Sequence, residues 1–388
     1  MKTVIIESII SPYEIARFNV INEKLGNNLV VLFQNQSDKI RSWNLNVSEA
    51  RFHYKVLPDF PIKMRGKNIF TLHINYTTYS ELRKLDPDVV ISCGWDSLAS
   101  YMSYVYCRRS GKKYILWAGS TINEPSWRRT VSAPLVRFLV RHSDACVAYG
   151  TRAKEYLMRL GADEHKISIG WNTVDNAYFK TNSKMSDDDK LQMKSRLGIT
   201  TRLVIVYVGR LTDRKGVFDL LAAFSLLKKE QADATLLLVG TGMDEALLKE
   251  RTSKEGIPDV VFAGFIDYDQ LPKYLGISDL FVLPSYDDVW GLVLNEAMAC
   301  GLPVITTNKT GASADLVKDG VNGFVVKEKT PRELCDAMRK IVGDDALRRT
   351  MAESSRRIIS NFDLHNTAQG VQKAISYATR GKVYEYPD

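Results

Sequence analysis

The sequence predicts an α/β protein made of two units, each with its own parallel sheet, and three observations carry that expectation. Apolar, β-branched runs alternate with helical patterns along the whole chain, as in strands joined by crossover helices. The alternation stops at a polar stretch, NSKMSDDDKLQMKSRLGITT (Asn182 to Thr201), and then begins again. Residues with distinctive chemistry fall just after strands, which is where open parallel sheets bind ligands. The length of 388 residues agrees with two domains, and a composition 45% hydrophobic and 25% charged is enough to bury two cores.

In the first half, strands are expected at KTVIIE, LVVLFQ, DVVISCG, KYILWAG and ACVAYG, with helices such as IARFNVINEKL and YSELRKL between them. The opening MKTVIIESIISP reads as the first strand rather than a secretory signal, because Glu7 breaks its short apolar run. The second half repeats the pattern at LVIVYVGR, TLLLVGTG, VVFAGF, DLFVLPS and PVITTN. The boundary is placed near Val174 to Thr181. The aspartates Asp187 to Asp189 have the look of a metal-binding DxD, but in a polar linker they read as a helix N-terminus.

Five scattered cysteines without a CxxC argue for a reducing compartment and against a disulfide framework or a zinc site. No window reaches the ~18 apolar residues of a membrane span. The net charge of +8 is uneven: Met1 to Asp175 holds 24 Lys+Arg and 16 Asp+Glu, while the remainder holds 29 of each. Arg108, Arg109, Lys112 and Lys113 form one basic patch. Trp127 to Asp144 (WRRTVSAPLVRFLVRHSD) reads as a basic amphipathic helix, either resting on an anionic membrane or partly buried with a solvated basic face. No nucleic-acid motif is present, so no nucleic-acid partner is expected.

The stretch DVWGLVLNEAMACG (Asp288 to Gly301) places two acids, Asp288 and Glu296, around a strand-to-helix turn. Gly291 permits close backbone approach, and Leu292 and Val293 present N–H groups at the positive end of a helix dipole. An anion flanked by carboxylates suggests a ligand with phosphate and hydroxyls together, such as a sugar nucleotide. After LVIVYVG come Gly209, Arg210 and Lys215, a bend from which two cations converge on a diphosphate. Gly240 and Gly242 make a tight turn after TLLLVG, a pattern that also serves as a simple packing device. Phe265 and Ile266 follow a short strand, where backbone groups read a base edge and an apolar side chain packs on its face.

Taken in order, GRL with KG, LLLVGTG, FAGFI, D-x7-E within WGLVLNEAMACGLPVITTNKTG, and LVKDGVNGFVV closely resemble glycosyltransferase family 4 (glycosyl transferases group 1). The resemblance is dense from Val204 to Val326. It implies the GT-B fold, two Rossmann-like domains facing each other across a cleft: an acceptor domain over 1–174, a donor domain over 175–362, and C-terminal helices over 363–388 that return to the first domain. It implies retaining transfer of a hexosyl unit, with a UDP-sugar favoured as donor, and no metal or other cofactor. Arg210 and Lys215 match the diphosphate binders, and Glu296 the acid that holds the ribose hydroxyls. Asp288 stands at the sugar-side acid, and Leu292 and Val293 meet the distal phosphate.

The chain departs from the family pattern at three places. Asp288 replaces the usual glutamate and is followed by Val289-Trp290 instead of Pro-Phe. The first loop, ESIISPYEIARF, has no glycine, and LWAGSTINEP has no histidine, leaving Ser120, Thr121 or Glu124 in that place. Other acceptor candidates are Tyr13, Glu14, Trp95 and Asp96, together with the polar–aromatic cluster Arg41, Ser42 and Trp43. A saccharide or lipid-linked acceptor is expected, in surface polysaccharide assembly, with the protein cytoplasmic or peripheral on the inner membrane face. A sugar-nucleotide epimerase and an inactive sugar-nucleotide binder are the alternatives.

Overall fold

A computed structural model describes residues 1–36, 47–64, 70–123, 127–230 and 232–380. Arg41, Ser42, Trp43 and Glu124 therefore lie outside the described residues. The chain divides into two compact units: Met1–Thr173 with the segment from Leu364, and Val174–Asp363.

The first unit holds β1 (Thr3–Ile9), β2 (Leu29–Asn35), β3 (His53–Val56), β4 (Phe60–Met64), β5 (Phe70–Ile74), β6 (Val89–Cys93), β7 (Lys113–Ala118), β8 (Ala145–Ala148) and β9 (Ile167–Ile169). Seven of these form one parallel sheet in the order β3-β2-β1-β6-β7-β8-β9, while β4 and β5 make a separate antiparallel hairpin. Both faces of the sheet are covered, so its central strands are mostly apolar, with Glu7 of β1 an exception. On one face Phe18, Ile21 and Phe33 pack with Val371, Ala374 and Ile375 of the helix Leu364–Ala378. On the other, Leu82, Tyr106, Leu139 and Leu157 cover Val4, Val90 and Leu116.

The last helix sits very close to the sheet edge because of Gly370. A Cβ there would stand 2.0 Å from the Ile169 carbonyl oxygen. Ser168 Oγ donates to the Gly370 carbonyl at 2.8 Å, and Thr367 Oγ1 donates to the Trp171 carbonyl at 2.7 Å.

The second unit holds β10 (Leu203–Val208), β11 (Ala234–Val239), β12 (Val260–Gly264), β13 (Leu280–Leu283), β14 (Val304–Thr307) and β15 (Gly323–Val326). They form a parallel sheet in the order β12-β11-β10-β13-β14-β15. β10 and β11 are buried along their whole length. The helix Val217–Lys229 lays Leu220, Leu221, Phe224 and Leu227 into this core. Asp187 to Asp189 open a helix, as their linker context implied: Ser186 is its N-cap and accepts from the Asp189 N–H at 3.1 Å.

Strand order reverses between β1 and β6 in the first sheet and between β10 and β13 in the second. Loops leaving two strands at such a point diverge, opening a crevice beyond their carboxyl ends.

Candidate active site at the β10–β13 switch point

Arg210 and Lys215 follow β10, and Asp288 follows β13, so both sides of the second sheet's reversal point carry predicted site residues. The loops are pressed together through glycines. Gly216 has φ 69°, and a Cβ there would lie 2.0 Å from the Pro284 carbonyl oxygen, so only glycine lets the Lys215 loop touch the end of β13. Gly240 and Gly242 come equally close to the carbonyls of Gly209 and Leu211. This packing stacks the GTG turn on the Arg210 loop. The Tyr286 N–H donates to the Arg214 carbonyl at 3.0 Å, a further tie between the loops.

Lys215 and Asp288 meet directly. Lys215 Nζ lies 2.5 Å from Asp288 Oδ2, with the two side chains 15% and 17% exposed. The Asp288 backbone is fixed from the other side by a bridge to Thr310, and the Gly311 N–H donates to its carbonyl at 2.9 Å. Tyr207 is a residue the sequence reading missed. It is buried in β10, and its hydroxyl donates to the Arg210 carbonyl at 2.8 Å, holding the bend from which Arg210 emerges. Burial, together with the nearby Asp288 carboxylate, pushes the Tyr207 hydroxyl well above its ordinary range, so it stays a neutral donor. Its sequence signal was a lone tyrosine among aliphatic strand residues.

Gly291 (φ 91°) caps the helix Leu292–Ala299, and Leu292 and Val293 form its first turn. The Trp290 Nε1–H donates to Asn295 Oδ1 at 2.9 Å, which ties the entering loop to the helix. Glu296 is fully buried in the middle of this helix. Arg210 is exposed, as is Phe265, while Ile266 is partly covered. Met243, beside the GTG turn, is 85% exposed.

The acceptor candidates are spread over three loops of the first unit. Tyr13 and Glu14 sit in the first turn of the helix Pro12–Lys24, which Ser11 caps by accepting from the Glu14 N–H at 3.2 Å. Asp96 is exposed, Ser120 is partly covered and Thr121 is buried. Trp95 is buried, like Thr121, and packs on Tyr156 with ring centroids 6.3 Å apart, as a large apolar ring gains from the core.

Near these loops lies a buried charged cluster that the sequence reading used only to interrupt a strand. Glu7 lies within β1, accepts from the Ser8 N–H at 2.6 Å and contacts the Cys93 thiol. Arg17, buried, lies 3.3 Å from Glu14, donates to Asn172 Oδ1 at 2.5 Å, and is flanked by the rings of Trp117 and Tyr149. The local signal was a carboxylate inside an apolar strand pattern.

Two parallel-sheet Rossmann-like units, with a site at the switch point of the second, place the chain among GT-B proteins. Alr3699/HepE from Anabaena, solved with UDP and glucose, matches with a TM-score of 0.77 at 19% identity over 97% of this chain and 99% of that one. Residues 189–358, somewhat less than half of the chain, match the model of the family glycosyl transferases group 1. Among curated proteins it is 24% identical to alpha-D-kanosaminyltransferase of Streptomyces kanamyceticus, over 70% of this chain and 72% of that one. It is 30% identical to the capsular polysaccharide biosynthesis glycosyltransferase CapM of Staphylococcus aureus, over 52% of each chain, so the match spans about half of that relative.

Proposed function

We propose that the protein is a retaining glycosyltransferase that moves a hexosyl unit from a nucleoside diphosphate sugar, UDP-linked by preference, to a saccharide or lipid-linked acceptor. The observation that carries this reading is the Lys215–Asp288 pair at the switch point, beside Arg210 and the N-terminus of the helix Leu292–Ala299. One small region thus supplies cations and dipolar N–H groups for a diphosphate and a carboxylate for a sugar. Phe265 and Met243 offer exposed apolar surface for the base, and Glu296 is assigned to the ribose hydroxyls. The UDP bound to Alr3699/HepE favours a uridine donor.

In the proposed reaction the acceptor oxygen bonds to the anomeric carbon on the face the diphosphate leaves. The bond from that carbon to the phosphate oxygen breaks through an oxocarbenium-like state, and the nucleoside diphosphate departs. The acceptor proton passes to the leaving phosphate oxygen. Arg210 and Lys215 stabilise the charge growing on that phosphate, and Asp288 favours positive charge at the sugar. No metal takes part in this scheme; chelation with EDTA is expected to leave the rate unchanged. Tyr13, Glu14, Asp96, Ser120 and Thr121 are the proposed acceptor contacts, and surface polysaccharide synthesis at an anionic membrane is the proposed setting.

The test is a thermal-shift panel of nucleotide sugars with UDP and GDP as controls. UDP and one UDP-sugar are expected to stabilise the wild type, and Lys215→Ala to abolish the shift. Lys215→Ala and Arg210→Ala are each expected to reduce turnover by about 10²–10³-fold. A folded variant with near wild-type turnover refutes the assignment. Consumption of the sugar nucleotide without an acceptor, yielding an isomeric sugar nucleotide, selects the epimerase instead.

A further inference from the structure

We infer that the helices Leu98–Ser110 and Trp127–His142 together form a docking surface for an anionic lipid bilayer. No helix among the described residues is long and apolar enough to cross a membrane, so the contact is peripheral. It builds on the lipid-linked arm of the proposed function and concerns a different surface from the donor site.

The structure divides the second helix into two faces. Val136, Leu139 and Val140 are buried in the core of the first unit and are not available to a partner. Leu135 and Phe138 point the other way and remain 51% and 46% exposed. The neighbouring helix adds Val105, 40% exposed. The two helices are locked into one surface here. The Tyr104 and Phe138 rings meet edge to face with centroids 5.7 Å apart, and Phe138 stacks on His142 at 4.2 Å. The Arg108 guanidinium lies 5.1 Å from the Tyr104 ring centroid and donates to the His142 carbonyl. Large apolar side chains held outward by packing behind them insert with little further loss of conformational freedom.

Cations flank this apolar strip. Arg108 bridges the two helices, and Arg109, exposed, follows Val105 by one turn. Arg137 and Arg141, one turn apart, are both exposed on the same helix as Leu135 and Phe138. The Arg141 chain covers Gly161, where a Cβ would come within 2.4 Å of its Nε. Between Asp96 and Asp144 the sequence carries eight Lys and Arg and a single acid, Glu124, so this segment accounts for most of the chain's net charge of +8. Asp144 is paired with Arg108 at 3.2 Å and Lys113 at 3.4 Å, and Lys112 with Asp86 at 2.9 Å, which offsets part of the surplus. An apolar strip between basic flanks matches the acyl boundary and headgroups of an anionic bilayer. A protein groove would not require the surplus charge, and a nucleic acid would leave the apolar strip wet.

The test is co-sedimentation of the full chain with vesicles of phosphatidylcholine alone and of phosphatidylcholine mixed equally with phosphatidylglycerol, at low and high salt. The wild type is expected to pellet only with the anionic vesicles and to be released by salt. Arg109→Glu and Arg137→Glu should each weaken binding at least about fivefold. The double variant Leu135→Ser with Phe138→Ser should abolish it without changing net charge. Retention of the first unit's own calorimetric transition, measured without vesicles, confirms that each variant is folded. Equal binding to both vesicle types, retention of the wild type in the supernatant, or undiminished binding by the folded variants overturns the inference. Salt-sensitive binding to RNA with none to vesicles overturns it in favour of a nucleic-acid face. Loss of the UDP shift in the wild type counts against the donor site and leaves the vesicle result to be judged by itself.

Discussion

A carboxylate inside a buried strand shows how little a residue's identity says without its surroundings. Burial and the Glu14 carboxylate push Glu7 up to about 7, opposed by the Ser8 N–H, the Cys93 thiol and Arg17. The folded protein therefore keeps a proton that the unfolded chain loses near 4.5. This contribution is fully present below about pH 4.5 and is lost as pH rises through about 7, on the order of 3 kcal/mol in all. Denaturant melts between pH 4.5 and 8 should show this decline in the wild type and not in Glu7→Gln. Asp288 allows a sharper residue-scale test. If it acts on the sugar in the transition state, Asp288→Asn should lower turnover at least about 10²-fold while changing UDP affinity less than about tenfold, since it leaves both phosphate-binding cations in place. Calorimetric binding and initial rates separate the two effects. A parallel loss of affinity would mean that Asp288 acts only by holding Lys215.

Among the elements, glycines set the distances. Gly216→Ala must place a methyl group against the Pro284 carbonyl in a left-handed backbone, at an expected cost above about 2 kcal/mol and with loss of UDP binding. Gly370→Ala separates helix propensity from packing. Alanine favours a helix by about 1 kcal/mol over glycine, yet here its methyl group would meet the Ile169 carbonyl. Net destabilisation of about 1–3 kcal/mol in urea melts is expected, because neither backbone moves cheaply. An increase in stability would show that the last helix is not held against β9. The strands and the longer helices were legible in the sequence because their periodicity is local. β3, β4, β5, β9 and β15 were not, since each is only three to five residues long and a glycine, proline or polar residue breaks its apolar run.

For the molecule as a whole, two units with separate cores should unfold in two calorimetric transitions. UDP at about 100 times its dissociation constant adds about 2.7 kcal/mol to the unit that binds it. That is a rise of roughly 5–10 °C in one transition, the other staying fixed. A shift of both would place the ligand outside the second unit alone. The sequence by itself determined the α/β class, the two-unit organisation and the residues that line the second sheet's reversal point, because strand periodicity, turn glycines and ordered motifs are written in short stretches of chain. It also supplied the surplus charge of the first half. Only the tertiary structure decided that Lys215 pairs with Asp288 across 73 positions. The same holds for Trp95, which lies in the core, and for Glu7 and Arg17, which share one buried cluster. It also decided which face of the helix Trp127–His142 stays outside. The physical reason is the same each time: burial and charge pairing depend on distances between segments remote in sequence, and those distances exist only once the sheets have formed.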